Sequence, residues 1–140
     1  MKVKLKRLND RFHFETKNER GNIVHLDNNS EKEPQGASPM ELLLMGIAGC
    51  SGIDIVMILK KQQLELKNLE MEVEGFRVNG AIPNVFKKIH LKIFLDGEIP
   101  ENKARRAVEL SLGTYCSVAK MLEKTAEISS EIILNGDSLK

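Results

Sequence analysis

The sequence has no surplus of charge of either sign. Among 140 residues, 21 Lys and Arg stand against 20 Asp and Glu, a formal net charge of +1. Such a balance provides no electrostatic footprint for a nucleic-acid backbone, so no nucleic-acid partner is expected. Cysteine is also scarce. Only Cys50 and Cys116 occur, too few for a disulfide-stapled secreted scaffold and not in the C-x-x-C spacing of zinc or thioredoxin sites. The three histidines, His13, His25 and His90, fall in strand-like segments with no second ligand at metal spacing, so no metal is expected. G-x-G-x-x-G, G-x-x-x-x-G-K-[ST] and G-x-S-x-G are all missing, which leaves nucleotide-binding and serine-hydrolase readings without a motif.

The basic stretch Met1–Leu8 is followed by neither an apolar core segment nor a small-residue cleavage site, which makes the cytoplasm the expected address. The one long apolar run, Leu42 to Leu59, carries Asp54. An ionised Asp at the centre of a membrane helix costs roughly 2.5–3.5 kcal/mol, so a buried helix is expected and no membrane association. In a reducing cytoplasm a disulfide between the two cysteines would be transient.

What the chain does contain is enough for one compact core. Its length and 41% hydrophobic content suit a single domain over residues 1–140. Val3 and Leu5, then Phe12 and Phe14, alternate with polar residues. Ile23–Leu26 follows the turn signal Asn18–Asn22, so three antiparallel strands are expected. Ser38-Pro39-Met40-Glu41 combines an N-cap hydroxyl, a proline at the first helical position and a glutamate three residues after the cap, and predicts a helix from about Pro39 to about Gln63. Apolar residues surround its axis, which predicts neighbours on most sides. Gly46, Gly49 and Gly52 predict a close approach by another element. A hairpin from Leu69 to Leu95, a helix opening at Pro100-Glu101 and bending near Gly113-Thr114, a helical piece over Cys116–Lys124 and a strand over Ile128–Leu134 complete the order βββ-α-ββ-α-β. That order defines an α+β class with largely antiparallel sheets.

On the long helix Cys50 and Asp54 are i,i+4 neighbours, so a thiol and a carboxylate share one face with Leu43, Gly46, Met57 and Lys61. A carboxylate in such a helix requires a polar or cationic partner, either as a structural contact or as part of a site. Cys50 is either a small packing residue or a nucleophile whose thiolate something else stabilises. If Thr114 caps the helical piece that follows, Cys116 lies in its first turn, where free N–H groups favour an anion.

The segment Gly36-Ala37-Ser38-Pro39-Met40-Glu41-Leu42-Leu43-Leu44-Met45-Gly46-Ile47-Ala48-Gly49-Cys50, together with Tyr115-Cys116-Ser117-Val118-Ala119, resembles the OsmC/Ohr family of thiol peroxidases. The stretches Cys50–Val56 and Ser117–Leu122 are most similar to its YhfA-like branch. The resemblance implies antiparallel sheets around a long central helix in an intertwined homodimer. It further implies Cys50 as the peroxidatic thiolate and Cys116 as the resolving thiol, a hydroperoxide substrate, an external dithiol reductant, a role in oxidative stress defence and no cofactor. The peroxidase branches usually carry a glutamate directly after the helix-opening proline and an arginine from the N-terminal strands. Here Met40 takes the first position and Glu41 lies on the face opposite Cys50, while Arg11 and Arg20 are the arginines in the right region. Met40 motivates an alternative, a non-enzymatic dimeric small-ligand-binding or redox-sensing protein on the same scaffold.

Overall fold

The computed structural model describes residues 1–139, whose contacts cluster into two units, Met1–Leu43 and Leu44 onward. The first unit is built on a three-stranded antiparallel sheet of β1 (Val3–Arg7), β2 (Phe14–Asn18) and β3 (Ile23–Leu26) in the order β1-β2-β3. Asn18 closes the turn between β2 and β3 because its side-chain oxygen accepts from the backbone N–H groups of both Arg20 and Asn22. Beyond β3, the Asp27 carboxylate accepts from the N–H groups of Asn28 and Gln35 at 2.7 and 2.9 Å. These bonds gather the polar loop and hold that carboxyl below its ordinary range.

The long helix α1 (Pro39–Lys61) starts where the capping signal places it. Ser38 Oγ accepts from the Glu41 N–H at 3.3 Å, and the Glu41 carboxylate accepts from the Ser38 N–H at 2.7 Å. The second bond depresses the Glu41 pKa, so its contribution is present at neutral pH and is lost as pH falls through the folded value. Ser38→Ala is expected to lower stability by about 1 kcal/mol, read as a shift in the urea midpoint of purified protein. An unchanged midpoint would contradict the capping role.

The second unit carries a four-stranded sheet in the order β4-β5-β6-β7, formed by β4 (Leu66–Arg77), β5 (Phe86–Gly97), β6 (Glu127–Leu134) and β7 (Asp137–Leu139). The β4–β5 hairpin is antiparallel, but β5 and β6 run parallel because α2 (Glu101–Leu110), a π-helical turn (Ser111–Tyr115) and α3 (Ser117–Leu122) carry the chain back before β6. Such a return needs a crossover rather than a hairpin, hence the parallel pair. The short β7 extends the predicted order. Flanked by β4 and β6, β5 buries Ile89, Leu91, Ile93 and Leu95 completely, and Ala104 and Ala107 of α2 are also fully buried.

Along α1, full or near-full burial is confined to Ile47, Ser51, Ile55 and Leu59, a single i,i+4 stripe. Met45, Ile53, Val56 and Met57 are exposed in the isolated chain, so the expected neighbours on most sides are not provided by the chain itself. By length and composition alone the helix could cross a membrane. The glycines correct a second expectation: a Cβ at Gly46 or Gly52 would meet only ordinary contacts at 3.8 Å, and one at Gly49 would meet nothing within 4 Å.

Close approach instead governs Gly97, which sits at φ +149°, where a Cβ would collide with the Glu65 carbonyl oxygen. Its N–H and carbonyl are both held by the Asn135 side-chain amide, at 2.9 and 3.0 Å, which ties the end of β5 to the β6–β7 turn. Gly97→Ala is expected to cost about 1–3 kcal/mol from backbone strain alone. Chemical denaturation followed by circular dichroism measures this, and wild-type stability in the variant would refute the strain argument.

Candidate functional site

The buried stripe of α1 sets the position of its two polar neighbours. Ser51 is buried and satisfied, because its hydroxyl donates back to the Ile47 carbonyl at 2.7 Å. Cys50 and Asp54 each precede a buried position by one residue and are half-buried at the edge of the stripe. The predicted i,i+4 pairing of thiol and carboxylate therefore stands on a helix already fixed by its apolar contacts. On the β4 side, Leu69 and Met71 lie near Gly52, and the Ser51 hydroxyl is 3.7 Å from the Met71 sulfur.

The second half of the site comes from the segment between α2 and α3. The Cys116 N–H reaches back to the Ser111 carbonyl at 2.8 Å, closing the π-helical turn. This wide turn replaces the simple bend expected at Gly113-Thr114. Cys116 rather than Thr114 caps α3, and its sulfur accepts from the Ala119 N–H at 3.4 Å. Ser111 Oγ lies 3.3 Å from the Ser51 carbonyl oxygen and 3.4 Å from Asp54 Oδ2, so the turn is hydrogen-bonded to α1 beside the site. Asp54 thus has the polar partner its helix demands, and that partner is a hydroxyl.

These elements bring Cys50, Asp54 and Cys116 together, with their ligand atoms all within 4.8 Å of one another. Both cysteines are free, and their sulfurs lie within 4.8 Å of each other. A disulfide requires a sulfur separation of about 2.05 Å, so the thiols need to rotate toward each other but lie on the same small surface. Cys116 is fully buried. Burial pushes its thiol from 9.0 up to about 11, outweighing the Ala119 N–H, and the Cys50 and Asp54 side chains push it in the same direction. The anion-favouring position expected from the helix start is therefore overturned, because desolvation of the sulfur exceeds what one long N–H contact returns.

The remaining candidates lie elsewhere. Glu41 is occupied by the α1 cap, and Met40 follows Pro39 on the same turn. Arg11 pairs with Glu31 at 2.8 Å, and Arg20 stands in the β2–β3 turn. His13 and His25 contact each other at 2.9 Å, while His90 meets Ser129 at 2.8 Å. A surface concavity of about 490 Å³ beside α2, lined in part by Arg105, Glu109, Glu123 and Ile132, includes neither cysteine. The residue that sequence reading missed is Ser111. The only signal for it was the requirement that Asp54 find a polar partner.

An α+β chain that sets two free thiols against a long helix, with a four-stranded sheet beside them, belongs structurally with the small thiol-bearing proteins of the OsmC fold. The OsmC-like protein family model matches residues 30–131, and the chain is a member of that family. It is 40% identical over 111 residues to Protein YhfA of Escherichia coli K12, covering 78% of this chain and 80% of that protein. The OsmC like protein from Mycoplasma pneumoniae superposes with a TM-score of 0.83 at 17% identity, over 95% of each chain. An organic hydroperoxide resistance protein OsmC from Legionella pneumophila superposes with a TM-score of 0.70 at 20% identity, over 94% of this chain and 96% of that one. At those two identities the likeness speaks for the fold, which agrees with the expected α+β architecture around a long helix.

Proposed function

We propose that this chain is a thiol-dependent peroxidase that reduces organic hydroperoxides or hydrogen peroxide through a Cys50–Cys116 cycle, in defence against oxidative stress. The observation that carries the reading is the convergence of two free thiols from distant parts of the chain, with their sulfurs within 4.8 Å of each other. In the first step the Cys50 thiolate attacks one peroxide oxygen. An S–O bond forms, the O–O bond breaks, and the leaving alkoxide takes up a proton to become an alcohol, leaving Cys50 as a sulfenic acid. Cys116 then attacks the Cys50 sulfur, and the displaced hydroxide combines with the Cys116 proton to give water and a disulfide. An external dithiol returns two electrons and two protons, regenerating both thiols.

A protein of the same fold from Legionella pneumophila is described as an organic hydroperoxide resistance protein, which supports a hydroperoxide as the substrate class. The exposed Met45, Ile53, Val56 and Met57 on α1 support a homodimer in which a second copy covers that face. The cytoplasm, where a recycling dithiol is available, suits a transient disulfide. The protein works as one domain over residues 1–140, with no nucleic-acid or membrane partner. The deciding experiment incubates reduced protein with cumene hydroperoxide or hydrogen peroxide and a dithiol. Peroxide loss coupled to dithiol oxidation is expected, together with a Cys50–Cys116 disulfide by mass spectrometry when the dithiol is omitted.

Met40 in place of an acidic residue favours a second reading, a non-enzymatic small-ligand-binding or redox-sensing dimer. Cys50 alkylation that follows an ordinary thiol's pH profile, with no peroxide consumed, would select it.

A further inference from the structure

Three groups that are each anionic when ionised meet in one place. Among the described residues no ion pair engages Asp54, whose hydrogen-bond partner is the Ser111 hydroxyl. Crowding a half-buried carboxylate and a half-buried sulfur against a fully buried one, with no cation paired to the carboxylate, is unfavourable for the charged forms. A divalent cation among them converts that repulsion into attraction. The geometry suits such an ion. Three atoms no more than 4.8 Å apart fit around a common centre at most about 2.8 Å from each, and zinc bonds are ~2.3 Å to sulfur and ~2.0–2.2 Å to oxygen. Inward movement of at most about 0.5 Å for each sulfur and about 0.6–0.8 Å for the carboxylate oxygen closes that gap. The scaffold also limits relaxation in other directions: Cys50 and Asp54 share one face of α1, Ser111 ties the π-helical turn to that helix, and Cys116 caps α3. Two sulfurs and one oxygen form a soft donor set that selects zinc-like ions over magnesium or calcium and leaves a fourth position open.

We propose that in the reduced protein Cys50, Asp54 and Cys116 form a binding site for a thiophilic divalent cation of the zinc class, and that occupancy of this site and the Cys50–Cys116 disulfide exclude each other. The site is invisible to local spacing rules because its third ligand comes from far downstream. The second half of the proposal rests on the thiol-peroxidase reading. One hydroperoxide takes two electrons from the two bound thiolates and two protons from solvent, yielding alcohol, water, the disulfide and the released cation. The ion thereby shields the sulfurs until peroxide or a chelator removes it, which makes the site a gate on the enzyme's own chemistry.

The test is a cobalt(II) titration of the full-length reduced protein under anaerobic conditions, followed by displacement with zinc. Near-ultraviolet thiolate-to-cobalt charge-transfer absorption is expected at one ion per chain. It should vanish in Cys50→Ser, and Asp54→Asn should weaken affinity by at least ~10–100-fold with the absorption retained. Circular dichroism verifies that both variants are folded. Protein converted to the disulfide with diamide, which does not depend on peroxidase activity, should not bind. Absence of the charge-transfer band in wild type, an undiminished band in Cys50→Ser, or equal binding by the disulfide form would each overturn the proposal. Zinc binding in a protein that consumes no peroxide would uphold the site while removing the peroxidase reading. Peroxide turnover without metal uptake would do the reverse.

Discussion

Cys50→Ser is expected to reduce hydroperoxide consumption by at least about a thousandfold, since a serine hydroxyl cannot supply the polarizable anion that attacks the O–O bond. Cys116→Ser should behave differently: one equivalent of peroxide per chain is consumed, then turnover stops with Cys50 held as a sulfenic acid that dimedone traps. The asymmetry follows from burial. Cys50 is half-buried, whereas Cys116 is closed off from solvent and its thiol is pushed up to about 11. A solvated peroxide therefore meets Cys50 first. Stopped-flow consumption assays on both variants decide the matter. Unchanged turnover in Cys50→Ser, or loss of the first turnover in Cys116→Ser, would remove the assigned roles.

Much of the architecture was legible in the sequence because local chemistry specified it. Ser38 and Glu41 announced the start of α1, and both capping bonds are present. Alternation along Leu69–Val78 and Val85–Leu95 marked the β4–β5 hairpin, whose ends extend a few residues beyond the pattern. The i,i+4 pairing of Cys50 and Asp54 needed only the helical repeat. Other features depended on partners that no local pattern records. The parallel β5–β6 pair results from the crossover through α2 and α3. The hydrophobic residues around α1 suggested enclosure, yet the chain alone covers one stripe, since composition reports what must be hidden and not what hides it. Ser111 carried no local signal beyond Asp54's demand for a polar partner, because its partners, the Ser51 carbonyl and the Asp54 carboxylate, lie on a different helix. The electrostatics of Cys116 were misread for the same reason. A helix-start position predicts a favoured anion, but enclosure by elements distant in sequence decides the sign.

Cys116 should remain nearly inert to alkylation at neutral pH and become reactive only as pH approaches about 11. At a pKa so high, only about one thiol in a thousand is ionised near pH 8, and the rate should rise several hundredfold across the alkaline range. The same shift makes stability pH-dependent with a definite sign. Because the folded chain holds the proton more tightly than the unfolded chain, whose ordinary value is 9.0, the contribution is complete below 9.0 and disappears as pH rises through about 11. The difference amounts to about 2–3 kcal/mol. Urea midpoints compared between wild type and Cys116→Ala isolate this component, since the lysines titrating nearby are common to both. A parallel decline in the two proteins would refute it. Burial is the largest cause of the raised value and Cys50 a lesser one, so the shift belongs mainly to the enclosure of the sulfur.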